Sequence, residues 1–308
     1  MKSLFIILVI CLFFCFTQTS YSAIKCVNTT GTGGCFTSIQ AAINAASTND
    51  TVKVEPGTYN GSIVIGKKIV VMGSGHEVTK IYSDSTTLFP AVEFVTGCHG
   101  AKLMWFTIQS AWHDGIWVLA GPTPYIINNL IQCCGKTGIW VTNSSCPVIC
   151  NNIIRQNAWN GINFQYGMPC VPFVCSNIIS KNSLCGLTNY GTAYPPNVTF
   201  LYNCVFNNSG GNYCHWFVPG TGDIQQDPLF VNPSCESSAD FHLATGSPCK
   251  DTGRPGFPDC DGSSGDMGVY GGPDAYCGPG PVVTNLQLIP PTVVKGETFN
   301  IQASGATR

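Results

Sequence analysis

Charge is scarce in this chain. Its 308 residues carry 14 lysines and arginines and 16 aspartates and glutamates, a net of −2. No cluster of basic residues is dense enough to neutralise a run of phosphates, so nucleic acid is excluded as a partner. Long stretches with the period of an amphipathic helix are nearly missing, while glycine (34 residues) and asparagine recur. That combination predicts short strands joined by frequent turns. The longest apolar run, Leu4–Phe16, falls short of the ~20 residues that a membrane-spanning helix needs.

What is present begins with a leader. Lys2, the apolar run and a small-polar stretch ending in Ser20 and Ser22 read as a secretory signal over residues 1–22, cut near Ser22 or Ala23. The expected product is secreted or held at the cell surface, and does not span the membrane once the leader is removed. Eighteen cysteines are present, and Cys11 and Cys15 lie in the leader. The remaining sixteen, in a chain bound for an oxidising space, read as disulfides. A zinc–thiolate reading is the competitor, but the adjacent Cys133–Cys134 and the scattered spacings do not match paired CxxC ligand sets.

The stretch "DGIWVLAGPTPYIINN" from Asp114 is followed 23 residues later by "TGIWVTNSSCPVICNN". Glycines recur at Gly115, Gly138, Gly161 and Gly186, and asparagines at Asn129, Asn152, Asn177 and Asn203. One turn earlier Phe106 takes the asparagine place. Each unit reads Gly-Ile-x-Val, a loop, then Ile-x-x-Asn-x-Ile, with the alternation of strands that bury one face. A period in the low twenties built of such strands means a solenoid. A leucine-rich repeat would need a leucine ladder, which is missing. A parallel β-helix remains, with stacked strands about 4.8 Å apart.

These repeats resemble those of the right-handed parallel β-helix proteins, the pectin-lyase-like superfamily. The opening "CFTSIQAAINAASTNDTVKVEPGTY" is similar to that superfamily's start, with a short capping helix expected over Phe36–Ala46. The closing "DPLFVN…DFHLATGSPCKDTG…DCDG…GDMGVYGG" resembles the C-terminal end of bacterial secreted β-helix proteins. The resemblance spans Cys26–Cys277 and implies an all-β fold: a right-handed single-stranded parallel β-helix with a short N-terminal capping helix. It also implies a structural ladder of inward asparagines at Asn129, Asn152, Asn177 and Asn203.

The resemblance does not imply one activity, because the superfamily holds lyases, hydrolases, adhesins and spike proteins. Its hydrolase signatures (NxD, DD, GHG with a later RxK) are missing from this sequence. Between Ala91 and His215 the only carboxylates are Glu93 and Asp114, and they do not fall at equivalent repeat positions. His113 adjoins Asp114, but neighbours in an extended strand point to opposite faces.

Alternation turns Ile116 and Val118 inward and Trp117 outward; one coil on, Trp140 points out, then Asn163 and Thr188. Two stacked indoles would offer a platform for a sugar ring, so Trp117, Trp140 and Asn163 are the candidate ligand-binding residues. Cross-strand aromatic ladders also stabilise sheets without any ligand. Asp259, Asp261 and Asp266 in "DCDGSSGDMG" are candidate calcium ligands, with turn-capping as the alternative. Cys150 and Cys175 should face outward on adjacent coils, close enough to consider a bridge, although directly stacked strand residues do not automatically meet disulfide geometry. Cys26–Cys35, Cys235–Cys249 and Cys260–Cys277 are candidate local staples.

The expected layout is a β-helix domain over 24–277, then residues 278–308 as a "GPGP" linker and the incomplete start of an immunoglobulin-like module. The expected role is binding or adhesin-like, with a polysaccharide or cell-surface glycan as partner. A polysaccharide lyase or glycoside hydrolase acting on pectin-like polymers is the alternative.

Overall fold

The computed structural model describes residues 22–84, 88–119, 121–142, 144–165, 171–189, 197–236, 239–277, 282–289 and 300–306. Residues 1–21 of the expected leader, with Cys11 and Cys15, and most of the linker lie outside them.

Each coil supplies three short strands, and like strands stack in parallel into three sheets. The first sheet has eight strands, from Ile24–Val27 to Thr199–Leu201. The second runs from Gly57–Asn60 to Cys204–Phe206, and the third from Ile63–Ile65 to Gly211–Tyr213, each with seven strands. On the third sheet Ile116 pairs with Ile139 and then Ile162, and Val118 with Val141 and then Phe164. All six are fully buried. The column is a core built by repetition, since no single coil has a second layer of its own to pack against.

The repeated glycines set the approach of the coils. A Cβ on Gly115 would lie 2.7 Å from the Gly138 carbonyl oxygen, one on Gly138 2.8 Å from that of Gly161, and one on Gly161 2.6 Å from that of Gly186. Those carbonyls are the ones that Ile116 and Ile139 need, through N–H bonds of 2.9 and 3.0 Å to Gly138 and Gly161. Any side chain there would pry the coils apart.

Two corners of each coil are made the same way. Asn128, Asn151, Ser176 and Tyr202 adopt left-handed backbone (φ 51–56°), which turns the chain from the first sheet to the second. The next residue is the ladder asparagine. Asn177 illustrates its work: Oδ1 accepts from the Asn152 amide (2.9 Å), while Nδ2 donates to the carbonyls of Ile149 (2.8 Å) and Cys175 (3.0 Å). The row runs through Asn129, Asn152, Asn177 and Asn203 and ends on Asp223, whose Oδ1 accepts from the Asn203 amide at 2.7 Å. A second ladder, not anticipated, occupies the corner between the second and third sheets. There Asn157, Asn182 and Asn208 accept from the amides of Cys134, Asn157 and Asn182 at 3.0–3.1 Å. Left-handed Cys133, Gln156, Lys181 and Asn207 precede each rung. The two ladders thus pair the buried turn amides coil by coil.

The helix spans Ile39–Ala45, shorter than expected because Ser38 caps it, its Oγ accepting from the Ala41 amide. Ile39, Ala42 and Ile43 face the core. Among the described residues no helix is long and apolar enough to cross a membrane. Past the last coil, Phe230–Asn232 and Asp240–Leu243 form an antiparallel pair. Val282–Ile289 and Asn300–Ala306 form another.

Disulfides join Cys26–Cys35, Cys150–Cys175, Cys185–Cys214 and Cys260–Cys277. The expected Cys235–Cys249 pairing is corrected: Cys235 bonds Cys133, and Cys249 is a buried free thiol. The reason is the fold-back of the antiparallel pair onto the second sheet, where Phe241 lies under the Arg155 guanidinium at 5.3 Å. That places Cys235 beside the Cys133 corner and turns Cys249 into the core.

Two outcomes follow from this polar interior. Asn177→Ala removes a rung, taking the acceptor from the Asn152 amide and one donor each from the Ile149 and Cys175 carbonyls, which should cost about 3 kcal/mol in urea unfolding. Asn→Ala at an exposed position, measured alongside, should cost far less. His76 is 4% exposed with neither ring nitrogen partnered. Burial holds it down to about 4, Glu77 opposing and His242 assisting. Its folded value lies below its unfolded one, so its contribution is whole above pH ~6.5 and is lost as pH falls towards 4, about 3 kcal/mol in all. His76→Phe should flatten that part of the stability-versus-pH curve. Parallel curves for variant and parent would show the loss arises elsewhere.

Candidate functional site

The outward row of the third sheet reads Val64, Glu93, Trp117, Trp140, Asn163, Thr188, each paired across to the next. Strand alternation puts them there because their neighbours Ile116, Val118, Ile139 and Val141 are claimed by the core. Trp117 and Trp140 are half-buried. Their rings meet edge to face, with centroids 6.2 Å apart and planes at 75°, rather than lying side by side as a flat platform. The edge of one positive rim against the other's face is the favoured aromatic arrangement. Each indole is also pinned: Trp117 Nε1 donates to Asp114 Oδ2 (2.8 Å) and Trp140 Nε1 to Gln165 Oε1 (3.2 Å). Asn163 stands in the same row but is only 4% exposed, and Thr188 1%. The open part of the row therefore ends at Trp140, and Asn163 is corrected from a surface ligand contact to a buried one.

The expectation for His113 and Asp114 is also overturned. Residues 111–114 form a bend before Gly115, not a strand, so the two side chains meet. Asp114 is fully buried; its Oδ1 accepts from the Thr137 amide (2.8 Å), and its Oδ2 lies 3.1 Å from His113 Nδ1 without hydrogen-bond alignment. On the other side of the ring, His113 Nε2 is 3.3 Å from Lys136 Nζ. Burial, then Lys136, lower the His113 value, and Asp114 opposes them. The imidazole is thus neutral at neutral pH, with Nε2 free to accept from the ammonium. His113 packs edge-on against Trp117 at 4.9 Å, and Lys136 lies over the exposed Trp159 ring at 5.6 Å. Glu93 sits one coil below Trp117, its carboxyl raised by burial.

Glu93 and Asp114 do not occupy equivalent repeat positions, yet both border the same tryptophan. The signal for the Asp114–His113–Lys136 chain was in the numbering, since His113 and Lys136 are one 23-residue repeat apart. Chemically, the patch offers three indoles for the C–H faces of sugars, one cation, one neutral imidazole backed by a buried carboxylate, and one carboxyl of raised proton affinity.

The Asp259, Asp261 and Asp266 carboxylates are not brought together as a cation cage. Asp259 accepts from the amides of Gly272 (2.7 Å) and Asp266 (2.8 Å), Asp261 from Ser263 (2.9 Å) and Asp266 from Asp251 (2.7 Å). Turn amides engage both oxygens of Asp259 and one each of Asp261 and Asp266, which is the turn-capping alternative. Burial, more than the neighbouring carboxylates, pushes Asp259 up to about 6. Among the described residues no three His, Cys, Asp or Glu side chains form a metal-holding group.

A family model described as "Right handed beta helix region" matches residues 94–205. No protein with a curated description matches the sequence. Solved structures similar to this chain include two of note. Pectate lyase Pel9A shares 14% identity, with 82% of this chain and 97% of that one covered and a TM-score of 0.37. ORF18 of Geobacillus virus E2 shares 16%, with 54% and 38% covered and a TM-score of 0.31. Neither likeness, at such values, says what this chain does. The matched residues hold four coils of the repeat, the Asn129–Asn203 row and the Trp117–Trp140 pair, and with the three parallel sheets they make the fold a right-handed parallel β-helix.

Proposed function

We propose that this chain is a secreted or surface-displayed protein that binds polysaccharide across the Trp117–Trp140 face. The observation that carries the reading is the pair of half-buried indoles held in fixed orientation by Asp114 and Gln165, flanked by Trp159 and Lys136 on an open sheet face. A pinned aromatic corner accepts a sugar ring without paying to order its own side chains. In this reading residues 1–22 are a removable leader, and 278–308 are a linker with the beginning of a further module.

A second reading, polysaccharide cleavage, is favoured by one specific arrangement. Asp114 backs His113, His113 meets Lys136, and the raised Glu93 carboxyl lies beside the same tryptophan, so acid and base groups border the binding face.

Affinity electrophoresis against soluble pectin, alginate and xylan tests the binding reading. Trp117→Ala and Trp140→Ala should each weaken retardation about tenfold, with unchanged far-ultraviolet circular dichroism. Retardation that survives both substitutions would remove this face from consideration. For the second reading, the same polymers are incubated with the chain, with and without calcium, and assayed for unsaturated or reducing ends. Activity that disappears in His113→Gln and Lys136→Met is the expected result if it cleaves. Silence on every polymer leaves binding alone.

A further inference from the structure

On the first sheet, whose strand follows the tryptophan-bearing strand along the chain, the outward row reads Lys102, Tyr125, Val148, Phe173, Thr199. The segment 254–274 folds over this row and leaves a cleft of about 320 Å³. We propose that the cleft is a second carbohydrate site, which takes an uncharged sugar residue; the ligand class rests on the polysaccharide reading above.

Three features of the cleft carry this. Arg254 lines it, with its guanidinium between the rings of Phe173 (5.0 Å) and Phe257 (4.7 Å) and its backbone amide fixed to Ser176 Oγ (2.9 Å). The ion pairs among the described residues are His113–Asp114 and His242–Asp240, so the guanidinium has no carboxylate partner there. Two rings therefore hold a cation in a set plane with its N–H edges unspent. Asn128 also lines the cleft at 1% exposure. Its Nδ2 is used up on the carbonyls of Val269 and Gly271, both at 2.9 Å, and its Oδ1 has no partner. A buried acceptor left unpaired costs free energy that a ligand hydroxyl would recover. The third feature is charge. The lining holds one cation, Arg254, and two carboxylic residues, Asp266 and Asp274.

Each ligand class meets this lining differently. A purely apolar molecule would suit Tyr125, Phe173 and Phe257 but leave Asn128 Oδ1, the guanidinium and the carboxylates unmatched. An acidic sugar would gain Arg254 and face two carboxylates. An uncharged sugar stacks its C–H face on the rings, donates hydroxyl protons to Asn128 Oδ1 and the aspartates, and accepts from Arg254.

The test is saturation-transfer NMR and calorimetry on the full chain, with galactose, glucose, xylose and galacturonate as probes. At least one of the three neutral sugars should bind, and galacturonate should bind several-fold more weakly than galactose. Arg254→Gln and Phe173→Ala should each weaken the neutral sugar about tenfold, and Trp117→Ala should leave it unchanged. Phe257→Ala, at a residue on the covering segment, serves as the third variant should either of the first two melt early. The proposal is overturned if no neutral sugar binds at tens of millimolar, if galacturonate binds best, or if binding survives the folded cleft variants. Sugar binding lost in Trp117→Ala but kept in Arg254→Gln would sink this site and leave the tryptophan face standing. The reverse pattern keeps the cleft, and the tryptophan face is then judged by its polysaccharide retardation alone.

Discussion

Everything on the surface of this protein depends on how closely one coil can lie on the next. The glycine row sets that distance: with no Cβ at Gly115, Gly138 and Gly161, the carbonyl of the following coil comes close enough to accept the strand N–H. Once the coils are locked in this register, side chains some two dozen residues apart become neighbours. Trp117 then meets Trp140, Glu93 lies under Trp117, and His113 reaches Lys136. A slip of one residue would send each outward row into the core and each core row into water. Both candidate sites are thus consequences of backbone contact rather than of any local motif.

The two asparagine ladders complete that constraint. Asn152 to Asn157, Asn177 to Asn182 and Asn203 to Asn208 are each five residues, while the repeat itself lengthens from 23 to 26. Variation in coil length is therefore absorbed by the loops and never by the second sheet or its corners. The corners are the expensive part of the coil, since non-glycine residues sit there in left-handed backbone at a cost of about 1–3 kcal/mol each. Each left-handed residue is followed at once by a rung that bonds both the coil before and the coil after. The strain and its compensation are adjacent in sequence.

The vertical rows were readable from the numbering of Gly115 and Asn129 and their successors, because a solenoid writes its geometry as a period. The second ladder was as readable, through Asn157, Asn182 and Asn208, but Cys134 occupies its first rung and hides the series. His113 and Lys136 were one period apart, yet strand alternation gave the wrong answer because a bend, not a strand, precedes Gly115. The edge-to-face tryptophans were beyond reach, since side-chain torsions are set by Asp114 and Gln165 rather than by spacing. The burial of Asn163 was equally hidden, as alternation gives direction but not cover. The C-terminal features resisted for another reason. Cys235 finds Cys133, and Arg254 finds Phe173, only because a non-repeating segment folds back along the stack, and no period announces where such a segment will land.

The Cys133–Cys235 bond ties that returning segment to a coil laid down 102 residues earlier. A pile of coils ordinarily frays from its free end, one layer at a time. Here the final layers are threaded inside a covalent hoop, so they cannot leave singly without either breaking a sulfur–sulfur bond or dragging the middle of the pile with them. A protease that clipped a loop within the hoop would produce two pieces that stay attached. Restricting so long a loop in the unfolded chain removes on the order of 4–5 kcal/mol of its entropy advantage, which turns a sequentially separable tower into something closer to a single indivisible block.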